Sequence, residues 1–275
     1  MKDETCVHFL QWALPQMRMQ WPGFRRVYGQ VCKRLTKRVK ELQLDNIEQY
    51  QDYLTTHKEE WITLNRLCQV TVSRFYRDKM LFAFLASEVL PALAIHAIQQ
   101  NKDTIKVWCI GSASGEEPYT VNLAWHFQCQ QQFPELNLAI VTTDANVKLL
   151  DRMEQACYAY ATVKNLPTAW RDEAFIIKGE LYCLKPAYRG DIVRLQQDVR
   201  EAVPGDCFDL ILCRNLVCTY YDDALQMETM LRIQQQLRPG GALVLGIHEQ
   251  LPAGITGFEA WSEKVRVFRK GETGA

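Results

Sequence analysis

The passage that most constrains this chain is Val107-Trp108-Cys109-Ile110 running into Gly111-Ser112-Ala113-Ser114-Gly115 and then into Glu116-Glu117-Pro118. It predicts a buried apolar strand that breaks at glycine and restarts as a helix. Pro118 suits a first helical turn, where its missing N–H costs nothing. Two glycines let the backbone approach a ligand closely at a helix N-terminus. Around this loop, short apolar runs at 105–110, 138–143, 208–213 and 242–247 alternate with helical patterns at 117–131, 146–158 and 222–237, and a terminal strand pair falls near 258–261 and 264–269. That alternation predicts an α/β fold with a mostly parallel, Rossmann-like sheet covered on both faces and ending in an antiparallel hairpin. Ligands of such sheets bind beyond the carboxyl ends of the strands.

The first 70 residues lack strand-like alternation and read as helices over 7–19, 25–42, 45–57 and 59–68, broken at the Trp21-Pro22-Gly23 turn and at the cap signal Asp45-Asn46. The expected organisation is a helical N-terminal domain at 1–70 and a larger domain at 71–275. Within the latter, segments 176–185 and 192–195 could form a small antiparallel β subdomain inside 162–199. The second helix carries Arg25, Arg26, Lys33, Arg34, Lys37, Arg38 and Lys40 beside an apolar stripe of Val27, Val31, Leu35, Val39 and Leu42. Such a face is either solvated or docks an acidic partner. The apolar window 80–98 is interrupted by Glu88 and Pro91 and reads as a core helix.

Lys plus Arg and Asp plus Glu number 32 each, so nothing global suggests a nucleic-acid partner or membrane insertion. The ten cysteines show no CxxC pair, which predicts reduced thiols and no metal site in a cytoplasmic protein. The first residues show no signal peptide. A monomer is the default expectation.

The loop after the first strand is neither GxGxxG nor GxxxxGK[ST], and two carboxylates at the helix start would repel a pyrophosphate. The ligand there should be neutral or cationic. S-adenosylmethionine, with its ammonium and sulfonium, suits Glu116 or Glu117 as partner, although either acid could also only complement the helix dipole. The second strand ends in Thr142-Thr143-Asp144, placing a carboxylate where it can accept both hydroxyl hydrogens of a ribose or cap the next helix. The third apolar run ends in Cys213-Arg214-Asn215 and would face the same crevice.

Five segments follow one another along the chain: Thr71-Val72-Ser73-Arg74-Phe75-Tyr76-Arg77-Asp78, then GSASGEEPYT from Gly111, TDAN from Thr143, FDLILCRN from Phe208, and LRPGGALVLGIHE from Leu237. Together they resemble the CheR-type methyltransferases, which esterify glutamate side chains on chemotaxis receptors. The resemblance covers nearly the whole chain and marks it as a divergent member. It implies a class I methyltransferase sheet, with S-adenosyl-L-methionine as cofactor and S-adenosyl-L-homocysteine as product. Thr71, Ser73 and Arg77, the loop residues Gly111, Ser112 and Gly115, Glu116 or Glu117, Asp144, Asp198, Val199, Arg214 and Asn215 are the implied cofactor-binding residues. Asp198-Val199 stands where the family has Asn-Leu. The stretch after Asn215 is one residue longer than the family pattern, which makes Tyr220 the counterpart of the family tyrosine and Tyr221 the reserve.

Methyl transfer from a sulfonium chiefly requires alignment of acceptor, methyl and sulfur. A glutamate acceptor is already ionised at neutral pH, so no strong base is needed. Arg77 is expected to hold the acceptor carboxylate through paired N–H donors, with Tyr220 assisting; these are the two expected catalytic residues. His248 reads as a strand-end structural residue. The resemblance implies a protein acceptor, a receptor or another signalling protein. A different protein or small-molecule acceptor, or a non-catalytic cofactor-binding module, are the alternatives.

Overall fold

The computed structural model describes residues 3–71 and 73–272; Val72, inside the first of the five segments, lies outside them. Among the described residues ten strands form two sheets: β1 Thr104–Ile110, β2 Asn137–Asp144, β3 Cys157–Ala159, β4 Phe175–Lys178, β5 Leu181–Leu184, β6 Asp191–Gln196, β7 Phe208–Cys213, β8 Leu237–Leu245, β9 Phe258–Ser262 and β10 Val267–Lys270. The chain divides into two compact units, Met1–Val72 with Val217–Gln226, and Ser73–Leu216 with Met227–Ala275.

The larger unit is built on a seven-stranded sheet ordered β6-β2-β1-β7-β8-β10-β9. β6, β2, β1, β7 and β8 run parallel, and β10 pairs antiparallel with both β8 and β9. This is the expected Rossmann-like methyltransferase sheet with its terminal hairpin. All six residues of β7 are buried, as a central parallel strand covered on both faces requires. The chain steps from β1 outward to β2 and β6, then returns to β7 on the other side of β1. The reversal puts a crevice at the carboxyl ends of β1 and β7, where Gly111 and Arg214 begin their loops.

The interval 162–199 is organised differently from the expectation. The antiparallel subsheet is β3-β5-β4, and the 192–195 segment belongs instead to β6, the parallel edge strand of the main sheet beside β2. Polar edge strands carry no continuous apolar run, so periodicity cannot assign them to a sheet. β3 was expected to continue the preceding helix. That helix ends at Gln155, because Ala156 adopts a left-handed φ of 52°.

The apolar stretch 79–99 is one continuous helical run with a π-type turn, Leu85–Val89, just ahead of Pro91. The wider turn is a common response to a proline that would clash with an ordinary helical carbonyl. It is the one helix among the described residues long and apolar enough to cross a membrane, and half of its most apolar window is buried inside the protein.

The smaller unit packs helices Asp3–Gln16, Tyr28–Glu41, Ile47–Thr56 and Glu60–Cys68 around their own apolar core. The turn expected at Trp21-Pro22-Gly23 is a one-turn helix, Trp21–Phe24, with proline in its first turn. Asn46 caps its helix by accepting from the Gln49 N–H at 2.9 Å. Of the basic side chains, Arg34 donates to the Leu67 and Gln69 carbonyls, and Arg38 grips the buried Glu60 with its Nε at 2.8 Å and Nη2 at 2.7 Å. The basic helix is therefore partly an internal tie.

The expectation of reduced thiols is corrected. Cys6–Cys32 and Cys157–Cys183 are disulfides, each spanning 26 residues. The second pair are register partners across β3 and β5, a proximity created by strand pairing and absent from any local spacing.

Candidate cofactor site

The loop that leaves β1 is held in a conformation few residues adopt. Gly111 has φ 67°, Ala113 φ 54° and Gly115 φ 90°. At Gly115 a Cβ would fall 2.4 Å from the Met153 side chain, so only glycine fits. Asn215, at the end of β7, is also left-handed at φ 53°, as are Tyr76 and Asp78 at φ 53° and 62°. Strained backbone of this kind persists where surrounding structure enforces it, and it collects at ligand sites.

The loop is anchored by Asp144. Its Oδ2 accepts the Ala113 N–H at 2.9 Å and its Oδ1 the Asn146 N–H at 2.8 Å. Asn146, not Asp144, caps the following helix. Burial raises the Asp144 carboxyl above its ordinary range, and the two N–H donors offset part of that rise. Tyr158 donates to the Ser114 carbonyl at 2.7 Å, fastening the loop to β3.

The two glutamates that open the helix Glu116–Ala124 have different surroundings. Glu117 Oε2 takes Arg214 Nη1 at 2.7 Å, while Arg214 Nη2 holds Asp78. The Arg214 side chain is only 3% exposed and lies over the Phe82 ring at 5.4 Å. Burial raises Glu117 above the usual carboxylate range, partly countered by Arg214 and by the charge of Arg77. Glu117 is thus committed to an internal ion cluster. Glu116 is 4% exposed and its Oε2 is buried with no hydrogen-bond partner. Burial raises its carboxyl too, with the Ser73 hydroxyl among the groups that counter the rise.

Ser73, Glu116, Glu117, Arg77, Asp144, Arg214 and Asn215 all fall in the larger unit. Arg77 is partly buried there. Asp198 follows β6 and is bound to Arg200; burial would raise its carboxyl, but Arg200 outweighs burial and holds it below the usual range. Val199 is a core residue, 4% exposed. Thr71 and Tyr220 fall in the smaller unit. Thr71 is exposed, whereas Tyr220 packs edge-on against Phe24 at 5.0 Å. Tyr221 is buried and bridges Met19. His248 is exposed beyond the end of β8. No group of three or more potential metal ligands occurs among the described residues. Asp78 and Glu249 close two of the five segments read from sequence, but only their contacts show what they do. The Asp78 carboxylate accepts from Arg214, and the Glu249 carboxylate accepts the Asn215 N–H from another strand's loop.

Three observations test whether S-adenosylmethionine fits. A buried carboxylate oxygen and the Ser112 Oγ lack partners, which an ammonium or carboxylate would satisfy. Gly111 and Gly115 let the loop pack on Leu216 and Met153 with its main chain left-handed at a helix N-terminus, and a second carboxylate stands at the end of β2. The residues present fit the group.

Residues 71–267 match the family described as CheR methyltransferase, SAM binding domain. An uncharacterised 104.1 kDa protein of Rhodobacter capsulatus is 28% identical over 90% of this chain, which spans only 26% of that protein. The chemotaxis protein methyltransferase of Listeria monocytogenes is 29% identical over 67% of each chain, and chemotaxis protein methyltransferase 2 of Vibrio cholerae is 27% identical over 80% of this chain and 77% of its own. The sheet order, the glycine loop with its unpartnered glutamate, and a match covering well over half the sequence make this chain a member of the CheR methyltransferase family, with S-adenosylmethionine as its cofactor.

Proposed function

We propose that this protein is a protein-glutamate O-methyltransferase whose acceptor is a side-chain carboxylate on a chemotaxis-receptor-like protein. The unpartnered, buried Oε2 of Glu116 behind the Gly111–Gly115 loop is the observation that carries the donor half of this reading. The acceptor half is supported by the relatives named chemotaxis protein methyltransferases. When bound, the cofactor supplies an activated methyl group.

In this reading Glu116 accepts from the cofactor's ammonium, and Asp144 receives the ribose hydroxyls while its loop contacts keep Ala113 in place. Gly111, Ser112 and Gly115 line the approach with main chain. The buried Arg214 binds both Glu117 and Asp78, tying the helix start to the segment that carries Ser73 and Arg77. Arg77 orients the acceptor carboxylate, and Tyr220 assists. Thr71, Asp198, Val199 and Asn215 complete the proposed cofactor contacts. The acceptor is ionised at neutral pH, so the protein has to exclude water and align it without removing a proton. The compartment assigned with this reading is the cytoplasm. The two disulfides count against it, since disulfides persist mainly in oxidising compartments; labelling of all four cysteines as free thiols in cells would support the cytoplasm, and their protection from label would overturn it.

The deciding experiment incubates the protein with methyl-labelled S-adenosylmethionine and the cytoplasmic fragment of a chemoreceptor. Label that mild alkali releases as methanol supports a carboxyl ester. Label that resists alkali, or none on the receptor while another acceptor is labelled, overturns the acceptor assignment.

A further inference from the structure

The carboxylate of Glu249 occupies an unusual place. It is 4% exposed, and its Oε2 accepts two main-chain N–H groups, from Gly246 at 2.6 Å and from Asn215 at 2.8 Å. The Glu249 N–H returns to the Gly246 carbonyl at 2.8 Å, closing the turn. β7 and β8 are parallel neighbours whose last paired residues are Cys213 and Leu245. One oxygen therefore takes up the donors that emerge just beyond the ends of two adjacent strands, standing in for a carbonyl the ladder no longer supplies.

The contact is tight on every side. A Cβ at Gly246 would lie 2.7 Å from Glu249 Oε2 and 2.9 Å from Asn215 Oδ1, so the glycine is what lets the carboxylate and the Asn215 side chain meet over the strand ends. Asn215 itself is held at φ 53°, a left-handed conformation that asparagine adopts more readily than other residues with side chains but that still costs more than an extended or helical one. Its N–H bond to Glu249 holds it there. The next residue, Leu216, has its Cδ2 2.9 Å from where a Cβ on Gly111 would be, so the same loop packs on the start of the glycine loop after β1.

We infer that Glu249 is a positioning residue for the cofactor site: by joining the loops after β7 and β8 it holds Asn215 left-handed and fixes the wall of the crevice beside the Gly111–Gly115 loop. This rests on the assignment of Asn215 to the cofactor site made above. The requirement is for an acceptor oxygen at that reach. Gln supplies the oxygen without the charge, and Asp supplies the charge one methylene too short.

The test measures binding of S-adenosylhomocysteine by calorimetry, together with hydrogen exchange at the Asn215 and Gly246 amides, in wild type, Glu249→Gln and Glu249→Asp. Glu249→Gln is expected to keep affinity within about threefold and both amides protected; Glu249→Asp is expected to lose about tenfold or more and to expose both amides. Glu60→Gln, in the other unit, controls for lost stability: its midpoint falls while affinity holds. If Glu249→Asp binds like wild type, or if Glu249→Gln loses as much as Glu249→Asp, Glu249 has no such role. If wild type itself fails to bind, the cofactor-site assignment falls, and this inference with it.

Discussion

Replacing Glu116 by Gln keeps the side chain's shape and removes its charge. Because the residue is 4% exposed and one of its oxygens lacks a partner, the carboxylate raises the cost of folding and acts only when a cation arrives. A charge-assisted hydrogen bond of that kind contributes about 1.5–3 kcal/mol, which corresponds to roughly 10- to 150-fold in the dissociation constant. Glu116→Gln should weaken S-adenosylhomocysteine binding by that factor in calorimetry at pH 8. The pH dependence has a definite sign. Burial raises the Glu116 pKa in the folded protein, so the unliganded fold is relatively favoured when Glu116 is protonated. That contribution is lost as pH rises from the unfolded carboxyl range through the raised folded value. Ligand affinity moves the other way, increasing as the carboxylate forms. Relative to wild type, Glu116→Gln should therefore raise the unliganded melting midpoint more at pH 8 than at pH 5, and the difference in affinity between the two proteins should shrink toward pH 5. An affinity unchanged at every pH would refute the assignment of Glu116 to the ammonium.

Arg214→Met should cost about 3–5 kcal/mol, since it leaves Glu117 and Asp78 facing each other without their cation. Denaturant midpoints should show a larger loss at pH 8 than at pH 5, because burial already raises the Glu117 carboxyl and favours its protonation as pH falls; a loss independent of pH would count against the cluster. Gly115→Ala forces a Cβ into Met153 at φ 90° and should abolish S-adenosylhomocysteine binding with a clear fall in thermal midpoint, whereas normal binding would mean the loop can reshape. Glu60→Ala strips Arg38 and the buried Tyr50 hydroxyl of their shared acceptor and should cost about 3–5 kcal/mol in denaturant titrations. Arg38 lies first among the groups that overcome burial and lower the Glu60 pKa, so the stability Glu60 provides is present above the unfolded carboxyl pKa and vanishes as pH falls through the lower folded value. A variant as sensitive to acid as wild type would contradict this.

The parts of the site legible from sequence are those where chemistry and local structure coincide in one short segment. The apolar run into Gly111, the glutamates opening the next helix, the aspartate closing β2 and the Arg-Asn pair after β7 could all be located because a buried parallel strand is a continuous apolar run and its end is marked by glycine or charge. The same logic located β8, the terminal hairpin and the helical first 70 residues. It had no purchase on 162–199, where β6 is a polar edge strand and β3 is only three residues long.

What the sequence by itself determined was the fold class and the order of elements along the chain, because these depend on residue type and periodicity; the cofactor was implied by the resemblance of five segments to a known family. Only the tertiary structure distinguished the surroundings of the two glutamates, by binding Glu117 to Arg214 and leaving a Glu116 oxygen without a partner. It likewise joined Cys157 to Cys183, assigned β6 to the main sheet and brought Glu249 to the Asn215 N–H across 34 residues. Each of these is a meeting of groups distant in sequence, and burial, hydrogen-bond satisfaction and strand pairing act on distances in space that no local pattern encodes.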